Sequence, residues 1–295
     1  MKWSYCFIYL FFAARCYGQK SFPVSTPHTP LWGIINSKGD TSYLYGTFHE
    51  FGNSFFDLHP TFKKYKRCKV IVTESIPDDK PNTHIVANWV SKLTRSDRKN
   101  LEKCIKELNL GFRLKAIKNL PPSWIEYAII SELYKKECNI WTDKDVVRMD
   151  EYISNYGVSH SKKILGLESA NDTFNVINTM TGASGNEDTM GRISLMNVVN
   201  NEQKYADSMK QLCQEADNYR ALNIDYKFNA SSVTDDPNFL TFLDKRNATW
   251  MPEIVSLIDA GNAFIAVGVK HLFYKNGLIM KLYERSYAIF PITDK

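Results

Sequence analysis

Glycine and proline are scarce in this 295-residue chain, 14 and 11 in all, so no long linker divides it and a single domain is expected. Charge of one sign is also in short supply. The 37 lysines and arginines stand against 32 acids, a net +5 spread too evenly to suggest a phosphate-tracking surface, and nucleic acid is set aside as a partner. No sustained period and no internal repeat is present, which together with 13% aromatic residues excludes collagen, coiled coils, solenoids and intrinsic disorder. Cysteine is limited to six residues with no CxxC, so neither a thiolate zinc site nor a redox dithiol is expected. HExxH, GxSxG, a Walker loop and GxGxxG are all missing, which argues against zincin proteases, serine α/β-hydrolases, P-loop enzymes and Rossmann dehydrogenases.

Long hydrophobic runs are missing as well. The longest, residues 3–14 behind Lys2, falls short of the roughly 20 residues a membrane-spanning helix needs. Cys16 and Gly18 follow it at the spacing signal peptidase accepts, so residues 1–18 read as a secretory signal peptide, with residues 19–295 as a secreted, extracellular domain. No transmembrane anchor is expected later, since the apolar stretch 263–272 is too short and carries Lys270 and His271. Cleavage leaves Cys68, Cys104, Cys138 and Cys213, an even number in an oxidising compartment; one or two disulfides are expected, with three pairings open. Asn171, Asn229 and Asn247 each begin a glycosylation triplet.

What is present in quantity is apolar residues, 44% of the chain, enough for a sizeable core. Residues 31–35 and 42–45 read as a hairpin around the Asn36-Ser37-Lys38-Gly39-Asp40 turn. Further strands are predicted over 69–73, 163–167, 263–267 and 286–292. Between them lie predicted helices. Ser96-Asp97 caps 98–108, Ser123 and Glu126 form a capping box opening a helix through 136, and 149–156 is a short helix. Asp172 caps another, 187–219 is helical with a break near Asn200-Asn201, Arg246-Asn247 opens a helix, and 252–260 is helical with Gly261 as its stop. Residues 277–284 form the last. Strands alternating with helices predict an α/β fold with a mixed, largely parallel sheet and flanking helices.

Two predicted strands run into the same pattern, Gly46-Thr47-Phe48-His49 and Gly268-Val269-Lys270-His271, and two others end in a carboxylate, Glu74 and Glu168. Functional groups of an α/β sheet gather where the carboxyl ends of its strands open into a crevice. Two imidazoles with one or two carboxylates are a borderline ligand set suited to zinc, manganese or cobalt. A metal-bound water would then be the nucleophile and a free Glu its general base. The competing reading makes His49 and His271 satisfied, half-buried histidines at strand ends. Arg246 and Asn247 can clamp a carboxylate or peptide carbonyl, or else cap a surface helix. His28, His59, His84 and His160 lack ligand spacing and read as surface residues.

Leu31-Trp32-Gly33-Ile34, Ser42 to His49, Glu74, Met149-Asp150, Lys163 to Glu168, Arg246-Asn247, Val267 to Leu272 and Gly277-Leu278 together resemble the TraB/GumN family, in that family's order and over nearly the whole mature chain. The family includes the Tiki proteins, which resemble metal-dependent proteases of secreted Wnt ligands. It is also similar to the erythromycin-esterase and haem-binding ChaN-like folds. The resemblance implies His49, Glu74 and His271 as a divalent-metal centre, with Glu168, Arg246 and Asn247 around it and Glu74 or Glu168 serving the proton. It also implies a secreted metal-dependent hydrolase, a peptidase on a protein or peptide substrate. The alternatives are a non-catalytic secreted binding protein of the same fold and a metal-independent esterase. The chain stops at Lys295 without the anchor of Tiki proteins, and a glycan on Asn247 would remove that residue from the site.

Overall fold

A computed structural model describes residues 28–76, 88–172, 187–230 and 237–293. The leader expected over 1–18, His84 and the turn expected after Ile76 lie outside these residues. Six strands form one sheet: β1 (Leu31–Ile35), β2 (Thr41–Thr47), β3 (Val70–Thr73), β4 (Lys163–Gly166), β5 (Ala263–Gly268) and β6 (Ala288–Pro291), in the order β4-β3-β5-β2-β1-β6. β4, β3, β5 and β2 are mutually parallel; β1 runs antiparallel to both β2 and β6. The fold is therefore α/β with a mixed, mostly parallel sheet, as the alternation of elements predicts.

Burial explains the order. Every residue of β5, Ala-Phe-Ile-Ala-Val-Gly, is buried, which suits a central parallel strand covered on both faces. The edge strands β4 and β6 hold only exposed and half-buried positions. The hairpin forms at the expected turn, where Asn36 Oδ1 accepts the Lys38 and Asp40 N–H groups at 2.9 Å each.

The helices that matter here are α1 (Arg95–Glu107), α2 (Pro122–Glu137), α3 (Met149–Ser159), α4 (Glu187–Asn200), α5 (Glu202–Arg220), α6 (Pro237–Ala260) and α7 (Leu278–Glu284). The break at Asn200-Asn201 falls as predicted, and Gly261, at φ +79°, ends α6 by donating to the Leu257 and Ile258 carbonyls. Several starts differ from expectation. Thr94, not Ser96-Asp97, caps α1. α2 opens on Pro121-Pro122 with no side-chain cap, and Glu126, expected in a capping box, is buried and accepts from Ser194 Oγ at 2.8 Å. Ser169 caps the helix that starts at 170, with Asp172 returning the bond as its third residue. α6 begins at Pro237 and runs through Pro252, so Arg246 and Asn247 lie mid-helix instead of opening one.

The sheet core gathers Trp32, Tyr45, Phe56, Phe62, Tyr65 and Phe264, all fully buried. A second core under Trp89, Leu101, Ile129 and Leu195 joins α1, α2 and α4. Cys138, after α2, is disulfide-bonded to Cys213 of α5, while Cys68 and Cys104 are buried free thiols. One of the one or two expected disulfides is thus assigned. Among the described residues no helix is long and apolar enough to cross a membrane.

Candidate active site at the carboxyl ends of the parallel strands

Parallel pairing of β2 with β5 places Thr47 opposite Gly268, so the two GxxH segments leave the sheet side by side. Their glycines allow that approach. A Cβ on Gly46 would lie 2.8 Å from Leu272 Cδ1 and 2.9 Å from Val269 Cγ2; one on Gly268 would lie 2.6 Å from His49 Nε2 and 3.2 Å from Glu74 Oε1. Each motif leaves room for the other. Tyr219 of α5 steadies the first turn by donating to the Gly46 carbonyl at 2.7 Å.

The two histidines are mounted alike. His49 Nδ1–H donates to Asp150 Oδ2 at 2.8 Å, and His271 Nδ1–H donates to Asn247 Oδ1 at 2.7 Å. Their Nε2 atoms then face the same oxygen, Glu74 Oε1, at 3.7 and 3.6 Å. Asn247 Nδ2 also donates to the His271 carbonyl at 3.2 Å. Asn247 is only 2% exposed, so its glycosylation triplet is closed to a glycan in the folded chain. Asn171 and Asn229 are exposed.

Arg246 binds the carboxylates together. Its Nε donates to Glu168 Oε2 at 3.0 Å and its Nη2 to Glu168 Oε1 and Glu74 Oε2, each at 2.7 Å. Nη1 donates to His271 Nε2 at 3.2 Å, which fixes that ring as the neutral Nδ1–H tautomer. The guanidinium lies 4.5 Å over Trp250 and 5.4 Å from the Phe242 ring, residues one helical turn either side of it. Trp250 also packs against His271 at 4.5 Å.

These contacts set the charges. Burial works against ionising Glu74, but protonated His49, Arg246 and the Gly268 N–H, at 2.6 Å, hold its carboxyl down at about 2. Burial likewise opposes a proton on His49, yet Asp150 and Glu74 outweigh it and raise the imidazole to about 10. For His271 burial prevails, helped by Arg246 and His49, and its pKa falls to about 3. His49 is the ring that solvent reaches, with a side chain 40% exposed against 3% for His271.

All six residues singled out in the sequence therefore meet in one cluster: His49, Glu74, Glu168, Arg246, Asn247 and His271. Sequence reasoning gave no site role to Asp150 or Trp250. Asp150 has a visible signal, standing beside Met149 in the family pattern, but an acid in the first turn of a helix is also ordinary end chemistry. His28 and His160 are exposed as expected; His59 is half-buried, with its ring tilted against Phe55 at 4.7 Å between centroids. Among the described residues no set of three metal-ligating side chains is closed enough to hold an ion as it stands. Arg246 occupies the His271 lone pair there.

The profile of the TraB/PrgY/gumN family matches residues 30–291. No curated protein and no solved structure matches significantly. The match extends from β1 to the end of β6 and takes in every residue of the cluster, so this chain belongs to the TraB/PrgY/gumN family.

Proposed function

We propose that the protein is a secreted metal-dependent hydrolase of peptide or protein substrates, with His49, Glu74 and His271 as ligands of one divalent ion. The observation that carries this reading is the shared aim of the two histidines, each fixed at Nδ1 and each directing Nε2 at Glu74 Oε1. His49 Nε2, His271 Nε2 and Glu74 Oε1 would hold the ion once Nη1 of Arg246 releases His271. The donor chemistry fits a borderline ion such as manganese, cobalt or zinc. When bound, such an ion lowers the pKa of its water and supplies a nucleophile near neutral pH.

The remaining residues act by position and charge. Asp150 and Asn247 fix the tautomer and orientation of the two rings. Glu168 grips Arg246 with both oxygens and so aims its guanidinium at Glu74 and His271, where it can hold a substrate carbonyl oxygen as negative charge develops. Trp250 and Phe242 shield that guanidinium from water.

A metal-free esterase with a histidine base has less support. Without an ion His49 carries its proton at neutral pH, and the His271 lone pair accepts from Arg246. Neither ring is then free to take a proton. Incubating the protein with a defined peptide mixture plus manganese, cobalt or zinc, and reading products by mass spectrometry, tests the proposal. Cleavage is expected with at least one ion and is expected to vanish with a chelator and in His271→Ala. Cleavage unchanged by the chelator overturns the metal-dependent reading, and no cleavage under any condition favours the binding-protein alternative.

A further inference from the structure

At the end of the sheet opposite the site, around the starts of β3 and β4, basic residues are concentrated. Residues 63–69 hold Lys63, Lys64, Lys66, Arg67 and Lys69 with no carboxylate among them, and they lead directly into β3. Parallel pairing of β3 with β4 sets Val70 opposite Lys163, which brings Lys162 and Lys163 alongside. Lys162 Nζ is tied there by donating to the Lys66 carbonyl at 3.1 Å and to that of Cys68. The ammonium groups of Lys66 and Lys162 lie 5.8 and 6.0 Å from the centroid of one ring, Tyr156, and His160 stacks on that ring at 3.9 Å.

Lys63 pairs with Asp57 at 2.8 Å, but Lys64, Lys66, Arg67, Lys69, Lys162 and Lys163 have no carboxylate partner among the described residues. Some cations elsewhere face a carboxylate, among them Lys135, Lys210, Arg220, Arg246 and Lys270; what sets this segment apart is that its cations are neighbours in sequence and across β3 and β4. The even spread of charge along the sequence therefore does not survive folding, and like charges are held together on one surface.

We propose that this surface binds a sulfated polysaccharide chain, leaving the opposite end of the sheet, with His49, Glu74 and His271, open to substrate. It rests on the extracellular reading of the leader, since sulfated polysaccharides are polyanions of the cell exterior, and not on the metal-dependent activity. A row of lysines and arginines reads charge and spacing alone. Single-stranded nucleic acid would call for rings on which bases stack, yet Tyr65 is buried and one face of Tyr156 is covered by His160. A lipid surface would call for a cluster of apolar anchors beside the cations, and among the described residues next to this patch the strongly exposed large apolar ones are Leu58 and Val158, one on each of two segments.

The test uses heparin as probe. The wild type is eluted by a salt gradient from immobilised heparin and from a sulfopropyl resin of matched capacity, beside two variants of equal net charge. One is Lys66→Glu/Arg67→Glu/Lys163→Glu on the patch; the other is Lys99→Glu/Lys106→Glu/Lys115→Glu on exposed positions of α1 and beyond. Circular dichroism confirms that both are folded. Later elution from heparin than from the resin is expected for the wild type and the second variant, with affinity for heparin lost on the order of tenfold or more in the first. Equal elution from the two matrices, or an equal loss in both variants, overturns the proposal. So does binding of duplex DNA or phosphatidylserine vesicles as tight as that of heparin at the same ionic strength.

Discussion

Glu74 is the residue on which both histidines and Arg246 converge, and its surroundings make folding pH-dependent in a defined way. Its carboxyl is held near 2 in the folded chain against 4.5 ordinarily, so its contribution is complete above about pH 4.5 and is lost as pH falls toward 2. His271, depressed from 6.5 to about 3, refuses a proton that the unfolded chain accepts, and stability falls as pH drops from 6.5 toward 3. His49 works in the other direction. Raised from 6.5 to about 10, it stabilises fully below 6.5 and loses that contribution as pH climbs toward 10. Chelator-treated protein should therefore be most stable near pH 6.5, and His271→Gln should flatten the acid side between 6.5 and 3. Urea unfolding across pH decides; equal acid slopes for variant and wild type would contradict the assignment. At the same scale, Asp150→Ala and Asn247→Ala should each weaken cobalt binding by about 10–100-fold in calorimetry, since each removes the bond that orients a ligand ring. An unchanged affinity would make those bonds incidental to the site. Legibility at this scale was high for groups marked by strand ends and low for their supports. His49, His271, Glu74 and Glu168 directly follow apolar strands, whereas Asp150 looks like any acid opening a helix.

Among the elements, strands and breakers were legible and helix starts were not. β5 is wholly apolar and Gly261 supplies the one backbone conformation its stop requires, so both could be read directly. Thr94, Ser96 and Asp97 all offer capping oxygens within one turn, and only the folded backbone chooses Thr94. Ser123 and Glu126 match a capping box locally, but tertiary packing against α4 takes Glu126 for Ser194 instead. Pro252 suggested a helix start; the helix carrying Arg246 and Asn247 instead passes through it. The disulfide between Cys138 and Cys213 spans 75 residues and fastens α5, whose Tyr219 supports the first GxxH turn. Cys213→Ser should lower stability by about 2–4 kcal/mol in urea unfolding, a loss set by the long loop released. Peptide mapping should find this pair alone, with Cys68 and Cys104 alkylated only after denaturation because both thiols are buried. Rapid alkylation of either in the native protein would contradict their placement.

For the whole molecule, the parallel strands gather the histidine and carboxylate cluster at one end of the sheet, while at the other lie lysines and Arg67 that have no carboxylate partner among the described residues. The alternation of predicted strands and helices foretold the α/β class, because it depends on residue patterning along the chain. The meeting of β2, β3, β4, β5 and α6 at one cluster depends on strand order, which no local pattern encodes; the strand-end residues suggested it and the joint family pattern added Arg246 and Asn247. The central claim is that the two GxxH motifs serve one ion. The most direct test is metal content by mass spectrometry after dialysis against a manganese, cobalt and zinc mixture and removal of unbound ions, for the wild type, His49→Ala and His271→Ala. The account predicts about one ion per wild-type chain, lost in both variants while the fold persists by circular dichroism. A folded wild type without bound metal, or either variant keeping its ion at full stoichiometry, would contradict it.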